Sequence, residues 1–252
     1  MSVARQATGA TQANRFYLYM ALTCALIAYV GFAPTYWIPV ATVSFAGAGI
    51  LHLHGLLFSA WPLLFVAQTA LVATGQTGHH RALGLVGISL ATAMVFAGTL
   101  VAVNNLKLGL ANGLDQQNRA FSIVPISMVL IFASLVAMAI AKIPQPEIHK
   151  RLMLVATISV MPPAFARVFA IVSGVKLAAG HPPPLPFSLA PAFASDLPLV
   201  AAMAYDFRYR GRPHKVYVIT FVCLLAIQII RIPLASTSFW HSVTNGLLAV
   251  LG

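Results

Sequence analysis

The chain has few charged residues, and acidic residues are the scarcest. Only 8% of its 252 residues are Asp, Glu, Lys or Arg, and just four of these are acidic. Soluble domains carry roughly a quarter charged residues, so this shortage excludes an ordinary soluble globular protein. Hydrophobic residues make up 60% of the chain. This composition is typical of an integral membrane protein.

Cysteine and the common catalytic motifs are also scarce. The two cysteines, Cys24 and Cys223, lie inside apolar runs, which is typical of small packing residues and excludes a disulfide framework. The chain contains no zinc-protease motif, no glycine-rich phosphate loop, and no serine or cysteine beside an obvious base. The sequence therefore leaves open whether the protein is an enzyme.

Long hydrophobic runs are abundant. A helix needs about 20 apolar residues to cross a membrane, and seven runs are long enough. Their lack of apolar–polar alternation argues against a barrel. We therefore predict an all-α, polytopic bundle of about seven transmembrane helices. The predicted segments are an N-terminal tail (1–15), a transmembrane domain (16–236) and a short interfacial segment (237–252). The predicted spans are 16–38, 46–72, 84–105, 120–142, 152–174, 188–206 and 215–236.

The basic residues predict the orientation of this bundle. Fifteen Lys and Arg give a net charge of +11, but they occur in short segments between apolar runs, which argues against nucleic-acid binding. With the N-terminus inside, ten of them lie on the inner side and only Lys107, Arg119 and Lys176 on the outer side. The positive-inside rule therefore predicts a cytoplasmic N-terminus and an outer C-terminus. The ten inner residues are Arg5, Arg15, Arg81, Lys142, Lys150, Arg151, Arg208, Arg210, Arg212 and Lys215.

Four polar residues are predicted to meet in the outer half of the membrane. Arg167, Asp196 and Arg231 lie in the fifth, sixth and seventh spans, and His54 lies in the second. At 1.5 Å rise per residue, all four come out roughly 6–12 Å below the outer surface. Prolines beside the three charged residues favour interrupted helices, which often build binding sites in membrane proteins.

Two interpretations of this layer remain open. In the first, Arg167 and Asp196 neutralise each other and only fix the packing of the helices. In the second, the additional arginine makes the layer net positive, so that it binds an anionic group. A carboxylate substrate, a lipid headgroup or the propionates of haem would each suit such a layer.

The run LHLHG at 51–55 places two histidines close together in an apolar span. Residues two apart on a helix point about 200° apart, so His52 and His54 cannot share one site. We expect His52 to form a hydrogen-bonded contact with another helix. His54 aligns with Phe58, Trp61, Phe65 and Gln68 at helical spacing, and in the haem alternative it is an axial ligand. The predicted ligand- or cofactor-binding residues are His54, Trp61, Gln68, Arg167, Asp196 and Arg231.

A second set of histidines precedes the outward-running spans. His80, His149 and His214 are each followed at once by a basic residue. One interpretation is that they only cap helices at the cytoplasmic interface. The other is that they meet on the inner face, with Glu147 or Asp206, and bind a divalent metal such as zinc or iron.

Several of these stretches resemble a bacterial family of multi-spanning integral membrane proteins whose activity is not known. The matching motifs are HxHG, HRxLG, HKRLM and DxRxRGRxH, and the resemblance covers most of the chain. It implies a helical protein that is integral to the cytoplasmic (inner) membrane of a bacterium, and it assigns no catalytic residue. The stretches are RFYLYMAL (15–22), GFAPTYW (31–37), 51–75, HRALG (80–84), HKRLMLVAT (149–157) and YDFRYRGRPH (205–214).

Two function classes follow from these observations. The first is a protein that binds a small, anionic ligand or a cofactor within the membrane. The second is a transporter, or a non-catalytic subunit of a larger homo- or hetero-oligomeric membrane assembly. Membrane lipids are predicted partners in both cases, because the basic loop 206–215 would attract anionic headgroups.

Overall fold

The described part of the protein is helical. The structure, a computed structural model, describes the backbone of residues 3–45, 47–175, 177–178 and 180–251, with side chains from Arg15 onward. These residues form helices and connecting turns, with one isolated bridge between Ala178 and His181 and no strand. The predicted all-α class is confirmed. The side chains of Arg5 and Lys176, used above in the charge count, lie outside the described residues.

Seven stretches of the described residues are helical, long and apolar enough to cross a membrane. Their order and number confirm the predicted helix bundle, and they make this an integral membrane protein. The seven spans are Arg15–Ala41, Gly49–Ala73, Thr77–Ala111, Asp115–Ala141, Pro146–Ser173, Leu185–Arg210 and Lys215–Leu234.

Three spans are interrupted, and each interruption has a proline beside it. The first span contains a π-helical turn at Ala33–Trp37, the fifth breaks before Pro162, and the sixth breaks at Asp196. Proline lacks an N–H and cannot continue the backbone ladder, so the helix ends or changes pitch there. The helices are α1 (Val3–Phe32), α2 (Ile38–Ala41), α3 (Gly49–Ala73), α4 (Thr77–Ala111), α5 (Asp115–Ala141), α6 (Pro146–Ser159), α7 (Pro162–Ser173), α8 (Leu189–Ser195), α9 (Leu197–Arg210), α10 (Lys215–Leu234) and α11 (Ser238–Leu251).

Helix α4 is much longer than predicted. It starts at Thr77 and ends at Ala111, whereas the apolar run predicts 84–105. A helix satisfies the hydrogen-bonding groups of its own backbone, so it continues past the apolar stretch until another feature ends it. Here the ends lie next to Gly75 and Gly113, whose positive φ angles of 78° and 73° reverse the chain.

The segment after the last span forms a helix of its own. Helix α11 packs against α4 and α5. Its Trp240 donates through Nε1 to the carbonyl of Arg119 (2.7 Å), and Arg119 donates through Nη1 to Thr244 (2.9 Å) and Asn245 (2.7 Å). These bonds attach the C-terminal segment to the start of α5.

Helix α6 occupies the centre of the bundle. It contacts α1, α3, α5, α9 and α10, and its residues Leu154, Val155, Ala156 and Ile158 are fully buried. A helix that is apolar around its circumference is one that is surrounded by protein. Five of the other six spans, all except the third, therefore pack against α6.

A network of charged side chains joins α6 to α9. Arg151, 1% exposed, donates through Nε and Nη2 to both carboxylate oxygens of Asp206, 3% exposed, at 3.0 and 2.8 Å. Glu147 accepts from Arg151 Nη1 (2.8 Å), Arg210 Nη2 (2.6 Å) and Lys150. Bidentate pairs of this kind combine charge with a fixed geometry.

The same network extends to α1 and α10. The backbone N–H of His214, just before α10, donates to Asp206 Oδ2 (3.2 Å). The Arg151 guanidinium lies over the ring of Tyr217, 5.4 Å from its centroid, and the Tyr217 hydroxyl is 3.1 Å from that of Tyr17 in α1. One buried arginine thus holds four helices at this end of the bundle.

Replacing Asp206 with alanine should therefore destabilise the protein strongly. Asp206→Ala leaves the buried Nε and Nη2 of Arg151 without their acceptors, so that only the half-exposed Glu147 still pairs with the guanidinium. Removing one partner of a buried ion pair typically costs about 3–5 kcal/mol. The matched control is Asp115→Ala, because Asp115 pairs with Arg119 at 2.5 Å but is 54% exposed; exposed pairs contribute about 0–1 kcal/mol. The measurement is unfolding in mild detergent. Equal stability of the two variants would contradict this role for Asp206.

Candidate ligand-binding site

A cavity of about 420 Å³ lies at the end of the bundle opposite the Arg151–Asp206 pair. It is enclosed by the C-terminal halves of the first and third spans, the N-terminal halves of the second and fourth, and α7. Most of the lining is apolar, and aromatic rings are prominent. These include Tyr29, Phe32, Phe45, Phe58, Phe121 and Phe187.

Arg167 brings a guanidinium group to this cavity. It lies in α7, whose first turn contains Pro162 and Pro163, where proline is tolerated. Its Nη1 donates to the carbonyl of Pro163 and its Nε to the hydroxyl of Thr35, both at 2.8 Å. Its Cζ lies over the ring of Phe32, 3.9 Å from the centroid. These contacts hold the guanidinium in place and leave Nη2 without a hydrogen bond to any described residue.

No acidic side chain of the chain neutralises Arg167. The sequence has four acidic residues, and the structure describes the surroundings of all four. Glu147 and Asp206 belong to the Arg151 network, and Asp115 pairs with Arg119. Asp196 accepts a hydrogen bond from Gln228 instead. The guanidinium of Arg167 therefore faces the cavity with its charge unpaired by this chain.

His54 lines the same cavity. Its ring stacks on Phe58, with centroids 4.1 Å apart, and its Nδ1 is buried with no hydrogen-bond partner among the described residues. His52 points elsewhere: its Nδ1 lies 3.4 Å from the hydroxyl of Tyr36 in the first span. The prediction that the two histidines separate, with His52 contacting another helix, is confirmed.

Asp196 and Arg231 lie at a second, smaller cavity of about 30 Å³. Gln228 Nε2 donates to Asp196 Oδ2 at 3.1 Å, and Arg231 Nη2 donates to the carbonyl and the hydroxyl of Ser188, both at 3.2 Å. Pro162 is among the residues that line both cavities. The predicted layer of four polar residues is thus divided between two neighbouring cavities.

The structure excludes the first of the two interpretations of this layer. An ion pair between Arg167 and Asp196 is not formed among the described residues, because Asp196 is turned toward Gln228 and Arg231. The two residues line different cavities, whose linings share Pro162. The first interpretation, self-neutralisation, is therefore wrong.

Two other predicted binding residues lie away from the cavity. Trp61 is buried in the core, where its Nε1 donates to Thr157 at 3.2 Å. Gln68 lies at the other end of α3, where its amide nitrogen faces His80 Nδ1 (2.6 Å) and its oxygen accepts from the N–H of Gly84 (3.0 Å). The 14 residues from His54 to Gln68 rise about 21 Å along a helix, so one small site cannot include both.

The three inner histidines do not assemble into a metal site. His80 and His149 are neighbours, with ring centroids 6.5 Å apart, and His149 Nδ1 donates to the carbonyl of Ala139 at 2.8 Å. His214 instead caps α10, because its Nδ1 accepts from the N–H of Val216 at 3.2 Å. Within the described residues no three His, Cys, Asp or Glu side chains are grouped as metal ligands. The helix-cap interpretation therefore holds for His214, and the metal prediction for the set is wrong.

The geometry adds nothing in favour of haem. A haem with two histidine ligands needs a partner for His54, and the sequence suggests His241 on the outer side. His241 lies in α11 and is not among the described residues that line the cavity.

Some residues of the site were not predicted from the sequence. Thr35 and Phe32, which hold the Arg167 guanidinium, lie in the first span, 132 and 135 positions away in the chain. Gln228, the partner of Asp196, lies three residues before Arg231, on the same face of α10. Of these three residues only Gln228 carried a signal in the sequence, because a glutamine is unusual in an apolar span.

No protein-family model, no curated protein sequence and no solved structure matches this chain. The resemblance of its motifs to a bacterial membrane-protein family therefore stays a prediction. The same is true of its lipid partners and its oligomeric state. Its function has to be argued from the two cavities and the residues that line them.

The cap at His214 should make stability depend on pH. Burial is the main cause that lowers the pKa of His214, and the positive charge of Arg151 is the second. The folded state therefore favours the neutral ring, which accepts a hydrogen bond from the N–H of Val216. A lowered pKa means that this stabilisation is present above the unfolded-state pKa of about 6.5 and is lost as the pH falls toward the folded-state value.

His214→Asn keeps a capping side chain but removes the titration. Thermal unfolding should therefore show a smaller loss of stability for this variant than for the wild type as the pH falls from about 7 to about 5. The other histidines are common to both proteins, so the difference reports on His214. Parallel pH curves would contradict the assignment.

Proposed function

We propose that this protein binds, within the membrane, a compact and largely apolar molecule that carries a single anionic group. The ligand's apolar part occupies the 420 Å³ cavity, and its anionic group contacts Arg167. In this proposal the membrane is the cytoplasmic membrane of a bacterium, which follows the resemblance of the motifs, and the cavity lies in its outer half, which follows the distribution of basic residues. Transport and a role as an accessory subunit stay predictions.

The observation that carries this proposal is the unpaired charge of Arg167. A charged side chain within a span is costly and usually has a partner or a function. Every acidic side chain of the chain is engaged elsewhere, so a counter-charge has to come from another molecule. A guanidinium presents donors that match a carboxylate or a phosphate.

The shape and lining of the cavity support the apolar part of the ligand. Pockets for small molecules typically measure about 300–1,000 Å³ and are apolar with a few placed polar groups. This cavity lies near the lower end of that range. Arg167 and His54 are its placed polar groups, and Phe32 and Thr35 keep the guanidinium from turning away.

Loss of the charge at Arg167 should weaken the binding of an acid much more than the binding of the matched alcohol. The probes are bromododecanoic acid and bromododecanol, read through quenching of Trp37, which lines the cavity. Arg167→Met removes hydrogen bonds to a charged group, worth about 1.5–3 kcal/mol, so affinity for the acid should fall about 10- to 100-fold. Affinity for the alcohol should stay nearly constant.

Two further variants make this test specific. Arg167→Lys keeps the charge without the fork of donors and should lie between the wild type and Arg167→Met. Lys107→Gln removes an exposed cation that does not line the cavity and should bind both probes like the wild type. Equal losses for acid and alcohol, or no loss for either, would contradict the proposed role of Arg167.

Filling the cavity should abolish binding of both probes. Gly98 in α4 lines the cavity, and a Cβ there already comes within 2.8 Å of Val129 and 3.3 Å of Phe58. Gly98→Leu places a side chain in the space of the ligand. Gly87→Leu is the matched control on the same helix, because its Cβ meets only Leu64, at an ordinary 3.5 Å. Binding of bromododecanoic acid by a folded Gly98→Leu protein would place the site elsewhere.

A further inference from the structure

The smaller cavity contains buried polar groups that the proposed function does not use. It measures about 30 Å³ and lies between α5, the α6–α7 break, the α8–α9 break and α10. Asp196 is 3% exposed, and Gln228 and Arg231 are each 6% exposed. Gln228 Oε1 and Arg231 Nε are both buried with no hydrogen-bond partner in the described structure.

These two unpartnered atoms are of opposite kinds. Arg231 Nε–H is a donor, and Gln228 Oε1 is an acceptor. Asp196 and Arg231 attract each other across the cavity, yet among the described residues no nitrogen of Arg231 lies within 4.0 Å of the Asp196 carboxylate. Leaving a buried polar atom without a hydrogen bond is costly, so an occupant that satisfies both kinds of atom is strongly favoured.

Three serines add acceptor positions to the same cavity. Ser127, Ser159 and Ser195 line it, and each hydroxyl donates to the backbone carbonyl three residues earlier. Their protons are therefore engaged, while their oxygen lone pairs remain available. The cavity is rich in acceptors, and Arg231 Nε is its buried donor that lacks a partner in the described structure.

The charges and hydrogen-bonding groups that line this cavity do not suit an ion of either sign. A metal cation would suit the oxygens but would lie beside a guanidinium and leave Arg231 Nε without an acceptor. An anion would suit Arg231 but would lie beside the Asp196 carboxylate and leave Gln228 Oε1 without a donor. A neutral molecule that both donates and accepts satisfies all three side chains.

We propose that this cavity is a binding site for buried water that bridges Arg231 to Asp196 and Gln228. The volume has room for about two water molecules. One water can accept from Arg231 Nε and donate to Gln228 Oε1 and the Asp196 carboxylate, which is the usual number of bonds for buried water. The ion pair between the sixth and seventh spans is thus mediated by water instead of being a direct contact.

X-ray hydroxyl-radical footprinting of the full-length protein in lipid nanodiscs tests this proposal. Radiolysis of a bound water oxidises the side chains next to it, even where bulk solvent has no access. Leu224 lines the small cavity and is 5% exposed, whereas Leu154 is 0% exposed and lines neither cavity. We expect Leu224 to be oxidised several-fold faster than Leu154. Equal rates for these two leucines would overturn the proposal.

A double variant provides the matched control. Asp196→Leu with Arg231→Met removes both charges together, and an apolar cavity stays dry. Oxidation of Leu224 should then fall to the rate of Leu154, and an unchanged rate would overturn the proposal. If the double variant does not fold, the comparison of the two leucines in the wild type decides.

The salt used in the experiment separates water from a bound cation. Replacing Na⁺ with choline at constant ionic strength should leave the wild-type unfolding temperature and the oxidation of Leu224 unchanged. A higher unfolding temperature in Na⁺ that disappears in the double variant would show a cation in the cavity and would overturn the assignment to water.

Discussion

The bidentate ion pair between Arg151 and Asp206 is the interaction on which the arrangement of the helices depends. It joins the central helix α6 to α9, and the backbone of His214 extends it to α10. Because the chain has only four acidic residues, this network engages half of them at one end of the bundle. The scarcity of acidic residues has its consequence at the other end of the bundle. Arg167, on the same span as Arg151, is left to face a cavity without a counter-charge.

The fold could be predicted from hydrophobicity alone, because a membrane requires long apolar helices and little else satisfies the backbone there. The seven spans and the division of His52 from His54 follow from that rule and from the geometry of a helix. The ends of the helices could not be predicted in the same way. Helix α4 continues beyond its apolar run because backbone bonding, and not hydrophobicity, decides where it stops.

The candidate site was only half predictable. A charged or polar residue in an apolar span indicates that a partner or a ligand is needed there, and this signal drew attention to His54 and Arg167, which both line the larger cavity. It could not show which residues face each other, because helix rotation is decided by packing between distant spans. Asp196 therefore turned out to face Gln228 across a different cavity. Trp61 shared a face with His54 by spacing, yet its indole belongs to the core with Thr157.

The position of Arg167 within the fifth span has an electrical consequence. Arg167 lies in α7, and the span continues beyond it to Ser173. An anion that reaches Arg167 from the adjacent aqueous phase has moved its charge through part of the transmembrane field, in which one elementary charge is worth about 2.3 kcal/mol per 100 mV over the full thickness. Occupancy of the cavity would then depend on membrane voltage as well as on concentration. A ligand that kept its proton while bound would carry no such dependence.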